Sequence, residues 1–184
     1  MIAGLPTSVE IREVGPRDGL QNEETIPVAE RIALIDALSA TGLTAIEAAS
    51  FVHPKAIPPM AGSAEVMKGI TRVPGVRYRA LVPNERGALD ALECDADELE
   101  VVMSISETHN RKNINMTPDE SVQQIIELTA LAHQEDTPVE AILSTAFGCA
   151  YEGDISPTRV AQYARRVLDS VSYTHLTLPT KRIV

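Results

Sequence analysis

Arg17 and Asp18 stand side by side after the first strand-like run, residues 9–14, where Gly15 and Pro16 precede them and Gly19 lets the chain turn away. In a parallel α/β protein, ligands sit at the carboxyl ends of the strands, so a guanidinium and a carboxylate at such an end suit a polar ligand. The plainer alternative is a polar turn in which Arg17 and Asp18 only solvate the loop. Glu47 is a lone acid in the next strand-like run, residues 44–49, and Ser50 opens the loop after it. Gln21 follows the Arg-Asp pair, and Arg111, Lys112 and Asn113 lie in a polar stretch at 106–115. Neither His53 nor His109 has a second histidine at ligand spacing, so neither is assigned to a metal.

The elements that must position these residues alternate between β-rich runs and helix-period stretches, the pattern of repeated βα units. Strands are expected at 9–14, 44–49, 77–82, 99–105 and 139–145. Pro27 opens a helix to about Ala40, with Ile32, Ile35 and Leu38 on one face. A short helix near 63–70 follows the proline-stiffened loop at 50–60, and another starts at Pro83-Asn84. Residues 106–115 read as a polar loop; Thr117-Pro118-Asp119-Glu120 then supplies an N-cap, a proline at N1 and a glutamate at N3. Ser156-Pro157 is expected to cap a last helix ending near Leu168. All the unusual loops follow strands and so fall on one side of the sheet. A doubly wound nucleotide fold loses support because no strand end carries G-x-G-x-x-G or a P-loop.

Composition narrows the partners. The chain has 184 residues, 44% of them hydrophobic, and a net charge of -10; the mean hydropathy is -0.02 and the pI near 4.8. This is the profile of a globular domain and argues against a nucleic-acid or anionic-membrane surface, both of which demand a basic footprint. An anionic substrate would need a local cluster such as Arg111 and Lys112. Cys94 and Cys149 are too few for a disulfide framework or a zinc site. The first ten residues lack the features of a secretion signal, and no apolar run reaches membrane-spanning length. A cytoplasmic location is expected.

The run EVGPRDGLQNE at 13–23 resembles the first-strand signature of the hydroxymethylglutaryl-CoA lyases, metal-dependent barrel enzymes of the DRE-TIM group. IE at 46–47, SFV at 50–52, PKAIPPM at 54–60, SETHNRKNIN at 106–115 and GCAYEG at 148–153 extend the resemblance over about 9–168. The Gly-Pro before Arg-Asp favours this family over the isopropylmalate and homocitrate synthases and the pyruvate carboxylase carboxyltransferase domain, in which a Leu usually precedes the pair. The resemblance implies an α/β fold, an incomplete TIM (β/α)8 barrel of about the first five βα units. It implies a retro-Claisen cleavage of an acyl-CoA substrate, with Mg²⁺ or Mn²⁺ as cofactor. Asp18 matches the family's aspartate metal ligand, and Arg17 matches the arginine facing the thioester carbonyl. Glu47 is either catalytic support or a structural partner holding Arg17. Gln21, Ser50 and Asn113 lie in matched loops that contact substrate or order one another, and Arg111 with Lys112 either face CoA phosphates or form a solvated loop. Cys149 is not at the catalytic cysteine position, and a packing role is expected.

The family's His-x-His ligands, its asparagine ligand and its cysteine-bearing glycine-rich loop find no counterpart here. The chain alone is therefore expected to be inactive, with open sheet edges at the first and fifth strands that invite self-association. From Ser170 onward the string resembles the in-frame translation of a transposon adapter used in sequencing libraries. Residues 1–170 are thus read as the barrel part and 171–184 as a non-native tail, and His175 is not expected to act as a ligand. Alternatives are another acyl-CoA lyase or aldol-type enzyme of the same group, or a non-catalytic half barrel; the substrate's exact acyl group and any homo-oligomeric state of the parent stay open.

Overall fold

The computed structural model describes residues 8–171 and the backbone of the strand Tyr173–Leu176. Six parallel strands form one sheet in chain order: β1 (Arg12–Glu13), β2 (Ala45–Ser50), β3 (Arg77–Leu81), β4 (Glu98–Ser104), β5 (Val139–Ser144) and β6 (Tyr173–Leu176). Between them run α1 (Val28–Ser39), α2 (Ser63–Gly69), α3 (Glu85–Leu92), α4 (Glu107–Ile114), α5 (Pro118–His133) and α6 (Pro157–Leu168). Parallel neighbours joined in sequence order by helical crossovers are what a barrel wall requires.

Period two divides each strand between two environments. Tyr78 and Ala80 of β3, Leu99, Val101 and Met103 of β4, and Val139, Ala141 and Leu143 of β5 pack with Ile35, Val66, Ala88, Ile125 and Val160 from the helices. The alternate positions carry charge: Arg79, Glu98, Glu100 and Glu140 are all buried. Arg12 on β1 donates at 2.5 Å to both Glu100 on β4 and Glu140 on β5. In a flat sheet β1 and β4 would be about 14 Å apart, beyond what one arginine spans, so the sheet must curl with its charged face inside. The fold is α/β, part of a (β/α)8 barrel with its lumen on that concave face.

The expected helix starts hold at α5, where Thr117 and Glu120 form a complete capping box with Pro118 at the first position. Ile35 is fully buried on α1, and Ile32 and Leu38 pack against the same core. Four features depart from expectation. The first strand spans Arg12–Glu13 only, because β1 has a partner on one side and Val9 and Ile11 are exposed. The polar loop at 106–115 is mostly the helix α4, capped by Ser106 Oγ, which accepts from the His109 N–H at 3.1 Å, and ended by Asn115 at φ 56. Ser156 precedes α6 without a side-chain cap.

The fourth departure is a sixth strand beyond the expected five: Tyr173–Leu176 pairs in parallel with β5, from Glu140↔Tyr173 to Leu143↔Leu176. An unpaired edge on β5 accepts any β-permissive string that can reach it. The sheet edges are therefore β1 and β6 rather than the first and fifth strands. The rest of the tail singled out in the sequence, residue 172 and residues 177–184, lies outside the described residues.

Candidate active site

The end of β1 is shaped by a single π-helical turn, Gly15–Gly19, in which the Val14 carbonyl accepts from the N–H groups of Arg17, Asp18 and Gly19 at 3.1, 2.7 and 3.4 Å. Gly15 stands at its start. Its N–H donates to Glu13 Oε1 at 2.6 Å, and a Cβ there would lie 2.8 Å from that same oxygen. The turn delivers Arg17 and Asp18 to the carboxyl-end mouth of the barrel.

Arg17 is held there by Glu47. Its Nε donates to Glu47 Oε1 at 2.5 Å, and its Nη2 pairs with the same oxygen. Nη1 donates to Asp18 Oδ1 at 3.0 Å, and Gln21 Nε2 donates to that oxygen at 2.9 Å. The side chain of Arg17 is 11% exposed and that of Glu47 2%, whereas Asp18 is 56% exposed. The result is a cation fixed at a nearly buried position, with a carboxylate beside it that solvent can reach. Such a fixed cation stabilises negative charge that develops during a reaction without reorganising for it.

Beneath this pair lies the lumen network. Arg79 donates to Glu98, to Glu100 Oε1 at 3.2 Å and to Glu140 Oε2 at 3.0 Å. Burial, followed by the neighbouring Glu47 carboxyl, pushes the Glu100 carboxyl up to about 9 against the pull of Arg12 and Arg79. Burial also raises Glu98, in spite of its bond to Arg79. Neither Arg79 nor its three acids were singled out in the sequence. Their signal was there in the alternation of Arg77 and Arg79 along one strand and of Glu98 and Glu100 along the next, a pattern that marks a charged lumen opposite an apolar outer face.

A second polar cluster occupies the ends of β4 and β5. Ser104 Oγ and His109 Nδ1 lie 2.7 Å apart, and Cys149 Sγ lies 3.0 Å from Ser106 Oγ. Burial raises the Cys149 thiol, but hydrogen bonds from Ser106 and the N–H groups of Tyr151 and Glu152 outweigh it and the net shift is downward. Glu152 Oε1 accepts from the Thr108 N–H at 2.7 Å, tying the loop after β5 to α4. Thr145, at φ 59, is a β-branched residue in the left-handed region. It accepts from the Ser106 N–H at 3.1 Å, the contact that offsets such strain. Asn110, fully buried, bonds Ser104, Met116 and Ser121 at once and so locks β4, α4 and α5 together.

Of the residues picked from the sequence, Arg17, Asp18, Gln21 and Glu47 form one hydrogen-bonded group. Ser50 is buried at the end of β2, where its carbonyl accepts from Ser63 Oγ at 2.7 Å. It borders a cleft of about 290 Å³ between the β2–α2 loop and the start of α3, whose lining includes His53, Met60 and Asn84 but not Arg17. Asn113 lies exposed in α4 and, among the described residues, shares no hydrogen bond or ion pair with the Arg17 group. Arg111 is paired with Glu107 at 3.0 Å, and Lys112 Nζ sits 5.0 Å from the Tyr151 ring centre. Among the described residues no three His, Cys, Asp or Glu side chains converge on a point that could hold a metal ion. Asp18 alone, with one oxygen already taken by Arg17 and Gln21, does not make a divalent-ion site. No helix among the described residues is long and apolar enough to cross a membrane.

A partial β/α barrel with a clamped arginine and an open carboxylate at its mouth defines the class, and the comparisons with known proteins narrow it. The HMGL-like family model matches residues 8–180, and the chain belongs to that family. It is similar to the cytoplasmic 3-hydroxy-3-methylglutaryl-CoA lyase of Danio rerio, 48% identical over 92% of this chain and 51% of that protein. It is also similar to the 3-hydroxy-3-isohexenylglutaryl-CoA/hydroxymethylglutaryl-CoA lyase of Pseudomonas aeruginosa, 46% identical over 89% of this chain and 55% of that protein. The crystal structure of the Bacillus subtilis HMG-CoA lyase superposes with a TM-score of 0.91 at 46% identity, covering 93% of this chain and 58% of the other. The chain spans about half the length of the curated relatives it matches.

Proposed function

We propose that this chain is part of a hydroxymethylglutaryl-CoA lyase, and that the whole protein cleaves 3-hydroxy-3-methylglutaryl-CoA to acetyl-CoA and acetoacetate. The observation that carries this reading is Arg17, clamped by Glu47 beside the exposed Asp18 at the mouth of a parallel barrel. In a retro-Claisen cleavage the 3-hydroxyl loses its proton and the adjacent carbon–carbon bond breaks. The electron pair passes to the thioester as an enolate, and a proton then returns to its carbon. Arg17 is assigned to the thioester oxygen, where charge grows as the bond breaks, so its benefit falls on the transition state. Glu47 fixes the direction of that guanidinium. Gln21 steadies Asp18; Ser50 orders the loop after β2, and Asn113 is assigned to the substrate side of α4.

Asp18 is assigned as one oxygen ligand of Mg²⁺ or Mn²⁺ in the whole protein, a hard ion suited to hydroxyl and carboxylate oxygens. A single carboxylate holds such an ion too weakly to be useful, and the 184-residue chain is predicted to be inactive by itself. The net charge of -10 supports a protein that binds neither nucleic acid nor anionic membrane, and a cytoplasmic location agrees with the cytoplasmic lyase of Danio rerio. Residues 171–184 are assigned to adapter-derived sequence, which resequencing the gene across codon 170 will test. A lyase for a longer acyl tail is the second reading, favoured by the two substrates in the name of the Pseudomonas aeruginosa relative.

The deciding experiment extends the gene to the relatives' length and assays acetoacetate release from 3-hydroxy-3-methylglutaryl-CoA, with and without a chelator. Chelator-sensitive release by the long form, and none by the short one, is expected. No release from a folded long form contradicts the assignment, and release from the short form defeats the predicted inactivity.

A further inference from the structure

The lumen of this barrel packs carboxyls and guanidiniums closely together. Glu47, Glu98, Glu100 and Glu140 are each at most 3% exposed at the side chain, and the cations bound to them are Arg12, Arg17 and Arg79. Arg77 is 46% exposed, sits 3.8 Å from Glu98 and is bound to Glu10 at 2.5 Å. A buried carboxylate with an oxygen that meets no donor is costly, and the carboxyl relieves that cost by keeping its proton.

Geometry points to Glu100. Glu100 is fully buried; its Oε1 accepts from Arg12 at 2.5 Å and Arg79 at 3.2 Å, while its Oε2 meets no N–H or O–H donor. Glu47, on β2, is the carboxyl that after burial does most to raise Glu100, acting as a hydrogen-bonding neighbour. Two carboxylates in contact repel, whereas a carboxylic acid beside a carboxylate donates to it. We infer that Glu100 carries a proton at neutral pH and gives it in a hydrogen bond to Glu47, making Glu100 the positioning residue beneath the Glu47–Arg17 clamp. The groups facing it are Arg12 from β1, Glu47 from β2, Arg79 from β3 and Glu140 from β5, with Glu98 on its own strand. The direction of its titration agrees: burial and Glu47 both hold the proton on, and the two arginines do not overcome them.

The proton itself is independent of any activity; its effect on turnover rests on the lyase reading. The test labels the glutamate side-chain carboxyls of the 184-residue chain with ¹³C and follows them from pH 4 to pH 10. A resonance at the protonated position at pH 7 that titrates well above it, and that disappears in Glu100→Gln, is expected. No glutamate titrating above pH 7 in the unsubstituted chain overturns the proposal without need of any variant, and so does a high-titrating resonance that survives Glu100→Gln. In the extended lyase, Glu100→Leu, which has no hydrogen to donate, should lower kcat at least tenfold with KM nearly unchanged, and Glu100→Gln should recover most of the loss. A kcat untouched by Glu100→Leu overturns the positioning role. An extended protein with no lyase activity counts against the lyase reading, and the resonance then decides the proton alone.

Discussion

Arg17, at the end of β1, donates through Nε to Oε1 of Glu47 on β2 at 2.5 Å, and the two side chains are all but removed from solvent. This contact converts a flexible side chain into a fixed cation. Glu47 thus holds Arg17 at the barrel mouth. Glu47→Ala takes away the buried partner of the guanidinium and leaves it the exposed Asp18, and should cost about 3 kcal/mol. Urea denaturation checks this, and a loss under about 1 kcal/mol would mean that water solvates Arg17 freely.

The capping box of α5 is a separate, local source of stability. Thr117 Oγ1 accepts from the Glu120 N–H at 3.1 Å, and Glu120 Oε2 accepts from the Thr117 N–H at 2.7 Å. Thr117→Ala should cost about 1 kcal/mol and lower the melting temperature by about 2–4 °C. Calorimetry of the two proteins decides.

That box is legible in the residue string alone, because a cap, a proline and a glutamate at fixed offsets need only local rules. The Arg17–Asp18 turn is legible for a similar reason: Gly15, Pro16 and Gly19 mark where the chain must bend. The helix α4 is not, since it carries polar residues on nearly every side and has no apolar period to reveal it. The charges on β3, β4 and β5 are in plain view in the sequence but become meaningful only once curvature brings Arg12 to Glu100. Their partners are set by the closure of the sheet, which no local pattern encodes. The sixth strand follows from an available edge, again a property of the assembled sheet rather than of the string itself.

Glu152 should shape the acid side of the stability profile. Burial is the largest single influence and raises its carboxyl, but hydrogen bonds from Thr108 and Ser106 together with Arg159 outweigh it and hold the group below the usual range. A group depressed in the folded state contributes stability above its unfolded value and loses it as the pH falls through the folded one. Stability measured between pH 6 and pH 3 should therefore fall less steeply in Glu152→Gln than in the unsubstituted chain. An unchanged slope would show that the contact to α4 does not persist in solution.

Open edges on β1 and β6 should make the 184-residue chain self-associate. Sedimentation velocity at rising concentration should show species heavier than the 19.9 kDa monomer. A monomer at every concentration would mean that both edges are protected.

The most direct test of the Arg17 assignment is steady-state kinetics on Arg17→Gln in the protein extended to its relatives' length. A cation that meets charge only as the carbon–carbon bond breaks acts on kcat, and its removal should lower kcat by roughly 10²-fold or more while leaving KM within a few-fold. An unchanged kcat with a raised KM would contradict the account, for Arg17 would then serve only to bind the substrate.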